Sequence, residues 1–276
     1  MKTNIYQKVC LLFYIALVIF WIVLYTSGST DGFSNYLYSF LFGLIPFFGG
    51  IAAMINSRRD WGGLSSAVGK ATFFVGLGIF LWGCGEIIWS YYNFFLNVPA
   101  PYPSLADIGF APSIFFYGLG AMYLSKATGA KFGLRSKMAK VFVIVAPILV
   151  LILSYYLLIV VARGGVLVPE GEPLLKALLD IIYPLGDLIA LMIGVIVSGL
   201  SFKYVGGAFK FDVISLLCGL GVMYVADTVF SYTTTAGTYY NGNWGDLLLT
   251  TGLFLITYGI LGFHKLKVPT SQAATR

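Results

Sequence analysis

Long apolar segments separated by short polar ones run through the whole chain. Each apolar segment is about 20 residues long, the length an α-helix needs to cross the hydrocarbon core of a bilayer. The polar segments between them are too short to fold as domains. The pattern therefore predicts an all-α, polytopic membrane protein with eight transmembrane helices. The predicted spans are residues 9–25, 36–55, 71–95, 106–124, 141–162, 174–200, 211–233 and 247–263.

The overall composition agrees with this pattern. Hydrophobic residues make up 59% of the 276 residues and charged residues 10%, and the mean hydropathy is +0.88. A soluble domain is far less apolar. We therefore expect one integral membrane domain, a multi-pass location in the cell membrane, and the lipid bilayer as the main partner.

The net charge of +6 is explained by how the basic residues are distributed. Of the 17 lysines and arginines, 15 are predicted to lie on one side of the membrane and only Arg163 and Lys176 on the other. The excess of basic residues marks the cytoplasmic side, so both termini are predicted to be cytoplasmic. Because topology accounts for the charge, no nucleic-acid partner is predicted.

The two halves of the sequence resemble each other. Pro46 and Met54 of the second span align with Pro184 and Met192 of the sixth, 138 positions apart, and spans three and seven share a Gly-Leu-Gly sequence. Such internal similarity predicts a duplicated four-helix unit. Because four is even, both units have the same orientation. The two predicted repeats cover residues 1–138 and 139–276.

Six of the eleven acidic residues are predicted to lie in the outer half of the helix bundle. A carboxylate inside the membrane is costly and is by default a candidate functional group. The deepest three would form a pocket that binds a cation or a small ligand with donor groups, and the others would lie at its rim. The deep acids are Glu86, Asp187 and Asp227, and the rim acids are Asp107, Asp180 and Asp246.

Each rim acid also has a purely structural interpretation. Asp107 and Asp246 come three residues after Ser104 and Asn243, the spacing of a capping box at a helix start. Asp180 lies one helical turn after Lys176, a spacing that allows an ion pair.

The deep acids and their aromatic neighbours have alternatives as well. The deep acids could be neutral and hydrogen-bonded between helices. Trp89 and Tyr232 lie one turn beyond Glu86 and Asp227 and are predicted to line the pocket. Tryptophan and tyrosine at this depth can instead anchor the membrane interface.

The remaining residue types exclude several classes of function. His264 is the only histidine, which excludes bis-histidine haem and three-histidine zinc sites. No lysine lies deep within a predicted span, so a retinal Schiff base is absent, and no serine has the context of a catalytic nucleophile. We therefore predict a protein that is not an enzyme and has no cofactor, with a bound cation as one candidate ligand.

Several short motifs are similar to those of a known class of membrane region. They are Trp82-Gly-x-Gly-Glu86-x-x-Trp89, Pro101-Tyr-Pro-Ser-Leu-Ala-Asp107, Tyr183-Pro-Leu-Gly-Asp187-Leu, Ala226-Asp227 and Gly245-Asp246. This set resembles the multi-span membrane sensor region that precedes PAS, GGDEF or histidine kinase domains in prokaryotic signalling proteins. The resemblance implies reception of a signal at the outer or membrane face. No output domain follows in this sequence, so the resemblance also implies signalling through a partner protein.

Three hypotheses follow for function. The first is a sensor-like membrane protein that binds a cation or small ligand in an outward-facing acidic and aromatic pocket. The second is a cation- or proton-coupled transporter or channel, which requires polar residues to continue to the cytoplasmic face. The third is a scaffold subunit of a membrane complex, in which the acids pair internally and no cavity exists.

Overall fold

The predicted all-α class is confirmed by the structure, a computed structural model that describes residues 3–96, 98, 101–127, 137–161, 163–166, 168, 170–171, 173–201 and 209–264. Within these residues the chain forms eight α-helices and no β-strand. A π-helical segment, Tyr156–Val161, directly follows α5. The helices are α1 Ile5–Thr26, α2 Phe33–Trp61, α3 Ala67–Phe95, α4 Asp107–Ala127, α5 Lys137–Tyr155, α6 Leu174–Ser201, α7 Lys210–Thr235 and α8 Trp244–Leu261.

Five of these helices are long and apolar enough to cross a membrane, namely α1, α2, α3, α7 and α8. The helices α2 and α3 have 29 residues each, longer than their apolar parts, because their ends are set by local caps. Gly62 ends α2 in the left-handed conformation with φ 72°, which glycine adopts without a steric penalty. Ser66 is the N-cap of α3, and its side chain accepts a hydrogen bond from the Gly69 amide.

Six of the helices form a closed ring. Going around it, each helix packs on the next in the order α2, α3, α4, α6, α7, α8, and α8 packs on α2. The helix α1 lies outside the ring against α2 and α8, and α5 lies outside it against α6. Each half of the chain thus supplies three ring helices and one outer helix.

Glycines allow the ring helices to approach closely, as their positions in apolar helices predict. A Cβ atom added at Gly50 would lie 2.5 Å from the Gly76 carbonyl oxygen, where α2 meets α3. One added at Gly109 would lie 2.5 Å from the Gly85 amide nitrogen, where α3 meets α4. Both distances are below van der Waals contact, so larger residues at these positions would separate the helices.

Polar contacts hold the first helix to the ring at the end where the chain begins. The Asn4 side chain caps α1, and its Nδ2 atom donates to the Leu261 carbonyl at 2.7 Å. One turn later, Gln7 Nε2 donates to Asp212 Oδ1 at 2.9 Å. These bonds fix α1 against the start of α7 and the end of α8.

Candidate binding cavity

A cavity lies inside the ring, towards the ends of α3 and α7 and the starts of α4, α6 and α8. Its volume is about 50 Å³. At about 10–15 Å³ per water, this is room for a few waters or a small ligand. Four acids contribute to its wall, Glu86, Asp107, Asp187 and Asp227. Its aromatic wall residues are Phe42, Trp82, Trp89, Tyr102, Phe110, Tyr117, Tyr183, Phe230 and Tyr239.

Four of the aromatic rings close the cavity on the side of the loops. Phe230 contacts Trp89, Tyr102 and Tyr239 with centroid distances of 6.3, 5.3 and 5.0 Å. Trp89 and Tyr239 also meet edge to face at 6.1 Å. In such arrangements the positive edge of one ring faces the negative face of another. The cluster thus packs four aromatic rings against one another in the wall of the cavity that also carries the acids.

Asp187 and Asp227 form an acid pair inside the cavity. They lie on the neighbouring helices α6 and α7, and their carboxyl groups are close enough to interact directly. Asp187 is fully buried, and neither of its carboxyl oxygens receives a hydrogen bond from the described residues. Two carboxylates facing each other repel unless a proton, a cation or a donor lies between them. This pair therefore needs a shared proton, a cation or a donor between its two carboxyl groups.

A phenol lies beside the acid pair. The Tyr117 hydroxyl is buried, interacts electrostatically with Asp187 and Asp227, and has no well-formed hydrogen bond within the part of the chain that the structure describes. A hydroxyl can donate to a carboxylate or accept from a ligand. Tyr117 is thus a third polar group available to whatever occupies this part of the cavity.

Glu86 occupies the opposite wall. It is 4% exposed, and its Oε1 atom accepts a hydrogen bond of 2.5 Å from the Ser39 hydroxyl of α2. Gly43 makes room for it, because a Cβ atom there would lie 2.4 Å from Glu86 Cγ. One turn further along α3, Trp89 Nε1 donates to Asn241 Oδ1 at 3.0 Å. Both Glu86 and Trp89 line the cavity.

Asp107 has both of the roles considered for it. Its Oδ2 atom accepts from the Ser104 amide at 2.7 Å, and the Ser104 hydroxyl accepts from the Ala106 amide at 3.1 Å. These two bonds are the predicted capping interaction. Its other oxygen accepts a hydrogen bond from the Tyr183 hydroxyl on α6 and lies at the cavity wall. Asp107 is thus a helix cap that also faces the cavity.

Asp180 lies outside the cavity in a buried ion pair. Its Oδ2 atom is 2.9 Å from Arg163 Nη1 and 3.4 Å from Lys176 Nζ. The predicted contact with Lys176 is present, but the closer partner is Arg163, whose side chain is 1% exposed. The pair is therefore buried rather than solvated. Among the described residues, no lysine or arginine pairs with Glu86, Asp187 or Asp227.

Asp246 and Tyr232, two further predicted site residues, do not line the cavity. Asn243 caps α8 by accepting from the Asp246 amide at 3.1 Å, and Asp246 Oδ2 accepts from the Gly242 amide at 2.6 Å. Tyr239 donates to Asp246 Oδ1 at 3.2 Å. Burial, together with Asp246, raises the pKa of the Tyr239 phenol well above its ordinary value, so the phenol keeps its proton. Tyr232 is 47% exposed on the outer surface of α7.

Three polar residues beside the acids were not predicted as site residues, and two of them, Tyr117 and Tyr183, line the cavity. Ser39, Tyr117 and Tyr183 are polar groups that contact or face the acids. Their signal in the sequence is weak, because a serine or tyrosine in an apolar helix also occurs at interfaces and in helix packing. Tyr183 stands four positions before Asp187, one turn away on the same face of α6, and this spacing could have identified it.

The described residues contain no group of three or more histidine, cysteine or acidic side chains arranged to hold a metal ion together. A metal at the acid pair would have two carboxylates and the Tyr117 oxygen nearby, surrounded by aromatic walls. Ca²⁺ takes about six to eight oxygen ligands and Mg²⁺ about six, several of which are commonly water molecules. Aromatic rings beside acidic side chains are also surroundings in which proteins bind organic ammonium groups.

Comparisons with known proteins gave no match, whether to a family model, a curated protein or a solved structure. The resemblance to membrane sensor regions therefore rests on the sequence motifs alone. Function has to be argued from the geometry of the cavity.

Proposed function

We propose that the chain is a sensor-like, multi-pass protein of the cell membrane whose central cavity binds a small cation, preferably an organic ammonium. The observation that carries the proposal is the Asp187–Asp227 pair, whose fully buried member Asp187 receives no hydrogen bond from the described residues. An ammonium group supplies the positive charge and the N–H donors that the pair lacks. The aromatic walls suit its carbon substituents and attract its charge through cation–π contacts.

The membrane topology is part of the proposal. Eight spans with both termini cytoplasmic would place the cavity in the outer half of the membrane. Glu86 and Asp227 lie nine and eight residues from the ends of their helices, about 12–14 Å at 1.5 Å per residue. The ring order supports two repeats, because α4 packs on α6 as α8 packs on α2. The starts of α4 and α8 also correspond, since each carries an aspartate that accepts from a tyrosine hydroxyl.

The same pair suggests how binding would be transmitted. Its two carboxyl groups belong to different helices, so a cation between them replaces repulsion with attraction and draws α6 and α7 together. A ligand shifts such an equilibrium only by its differential affinity for the two arrangements. We propose that a membrane or cytoplasmic partner protein reads this movement at the cytoplasmic ends of the helices.

The cavity favours binding over the two alternatives. The deepest wall residues on α4 and α7 are Tyr117 and Met223, so among the described residues the cavity offers no open path towards the cytoplasmic side. A transporter needs such a path. A scaffold needs neither a cavity nor unsatisfied acids, and burying an unpaired acid without a function is costly.

The test is ligand-dependent stability of the purified protein. Ammonium, methylammonium, tetramethylammonium, a diamine and divalent metal ions are compared on the wild type, Asp187→Asn and the control Asp31→Asn, which alters an exposed acid outside the cavity. A ligand at 100 times its Kd stabilises the folded form by about 2.7 kcal/mol. We expect an amine to raise the melting temperature of the wild type and of Asp31→Asn but not of Asp187→Asn.

Two results would contradict the proposal. If no cation stabilises the wild type more than Asp187→Asn, the acid pair is not a cation site. If the amine binds but also crosses vesicle membranes containing the protein, the chain is a transporter rather than a sensor.

A further inference from the structure

A second cavity lies at the opposite end of the ring helices, between the end of α2 and the start of α3. Its volume is about 660 Å³, and it is a wide groove rather than a closed pocket. It lies at the end predicted to be cytoplasmic, where α2 carries Arg58 and Arg59 in its last turn. None of the acids of the central cavity lines it.

The polar end of the groove carries an available positive charge. Arg59 Nε is paired with Asp60 Oδ1 at 2.9 Å, and its Nη2 atom donates to Asn56. Arg58 is exposed and has no hydrogen bond or ion pair within the residues that the structure describes. A guanidinium presents several N–H donors in one plane and matches the oxygens of a phosphate. The groove thus offers one cationic group to an anion.

The rest of the groove is apolar. Ile51 lies seven residues before Arg58 on α2, about 10 Å along the helix towards the membrane centre. Ile55 lies between Ile51 and Arg58 on α2 and is 55% exposed. Phe73 of α3 forms the facing wall. An apolar channel that runs from a guanidinium towards the membrane centre matches an amphiphile with a charged head.

The turn between the two helices keeps the polar end of the groove open. Gly62 and Gly63 line it and have φ angles of 72° and 60°. Residues with side chains rarely adopt this conformation. Because both residues are glycines, no Cβ atom projects from this part of the turn beside Arg58, and a phosphate-sized group can approach.

We propose that this groove binds an anionic phospholipid of the inner leaflet, with the phosphate at Arg58 and one acyl chain along Ile51, Ile55 and Phe73. The inference depends on the membrane topology but not on a ligand in the central cavity. The inner leaflet carries anionic lipids that attract basic residues next to the membrane. The groove adds shape to this attraction, so one lipid is held at a defined position.

The test counts lipids bound to the purified protein by native mass spectrometry. Phosphatidylglycerol, phosphatidylcholine and inorganic phosphate are each titrated onto the wild type, Arg58→Gln, Phe73→Ala and Lys8→Gln. Lys8 is an exposed basic residue at the same end of the ring, does not line the groove, and serves as a matched control for charge. Melting temperatures show whether each variant is folded.

We expect the wild type and Lys8→Gln to bind one phosphatidylglycerol more tightly than phosphatidylcholine. Arg58→Gln should weaken phosphatidylglycerol binding about tenfold or more, because it loses a charge-assisted contact. Phe73→Ala should weaken both lipids. The proposal is overturned if Arg58→Gln and Lys8→Gln have equal effects, because the attraction is then general. It is also overturned if inorganic phosphate displaces the lipid at similar concentrations, because the acyl chain then contributes nothing.

Discussion

Replacing Asp187 by asparagine should make the protein more stable while abolishing cation binding. In the wild type, two acidic side chains face each other across α6 and α7, and no donor from the described residues reaches Asp187. Asparagine has nearly the same shape but carries two N–H donors. One of them can be donated to Asp227, so the two side chains can be hydrogen-bonded without a shared proton or a bound cation.

The expected size of the effect follows from burial. Asp187 is 0% exposed, so leaving its polar atoms without partners costs about 1–3 kcal/mol. We therefore expect Asp187→Asn to increase the free energy of unfolding by about 1–3 kcal/mol. The same substitution at Asp180 should have the opposite sign. It removes the charge that pairs with buried Arg163 at 2.9 Å, and breaking such a pair costs about 3–5 kcal/mol.

The assay is denaturation of both variants and the wild type in the same detergent or lipid mixture, without added amines. Two chemically identical substitutions at buried acids seven residues apart on α6 then differ only in their surroundings. If Asp187→Asn destabilises the protein as much as Asp180→Asn does, the acid pair holds the helices together and is not an incomplete site. The binding proposal would then lose its main support.

Two further predictions concern contacts elsewhere in the chain. Gly43→Ala places a methyl group 2.4 Å from Glu86 Cγ, so we expect a loss of about 1–3 kcal/mol in unfolding free energy. The control Gly118→Ala meets nothing within 4 Å in α4 and should be neutral or stabilising by about 0.4–1 kcal/mol; equal losses would refute the packing argument. The pKa of exposed Asp31 is lowered first by the Tyr36 hydroxyl, which donates to it at 2.6 Å. Any stability from this contact is present above the ordinary pKa of aspartate and is lost as pH falls through the lowered value. Carboxyl NMR titration should show a higher pKa for Asp31 in Tyr36→Phe, and an unchanged pKa would contradict the contact.

Local signals predicted the capping at two helix starts, those of α4 and α8. The capping interactions of Asp107 with Ser104 and of Asn243 with the Asp246 amide are both present. Such contacts join residues three positions apart, so their geometry depends on the helix start alone. The main partner of Asp180 was harder to predict. Arg163 is 17 residues away across a loop, and only folding brings the two side chains together.

Membership of the cavity could be predicted only in part. Glu86, Trp89, Asp107, Asp187 and Asp227 line it, whereas Tyr232 faces outwards. A hydropathy pattern gives the depth of a residue in the membrane but not its direction around the helix axis, when nearly every face of the helix is apolar. Trp89 follows Glu86 by three residues and lies on the same side of α3, whereas Tyr232 follows Asp227 by five residues, which places it about 140° away around α7.

The sequence by itself determined that the chain is helical, that it belongs in a membrane, and how the starts of α4 and α8 are capped. These properties follow from the length of apolar segments and from contacts within one helical turn. Only the tertiary structure decided which acids meet. The ring places Asp187 beside Asp227 of the neighbouring helix, whereas Asp180 forms an ion pair with Arg163. Pairing between helices depends on their rotation and on close approach at glycines such as Gly50 and Gly109, and no local pattern in the sequence records either.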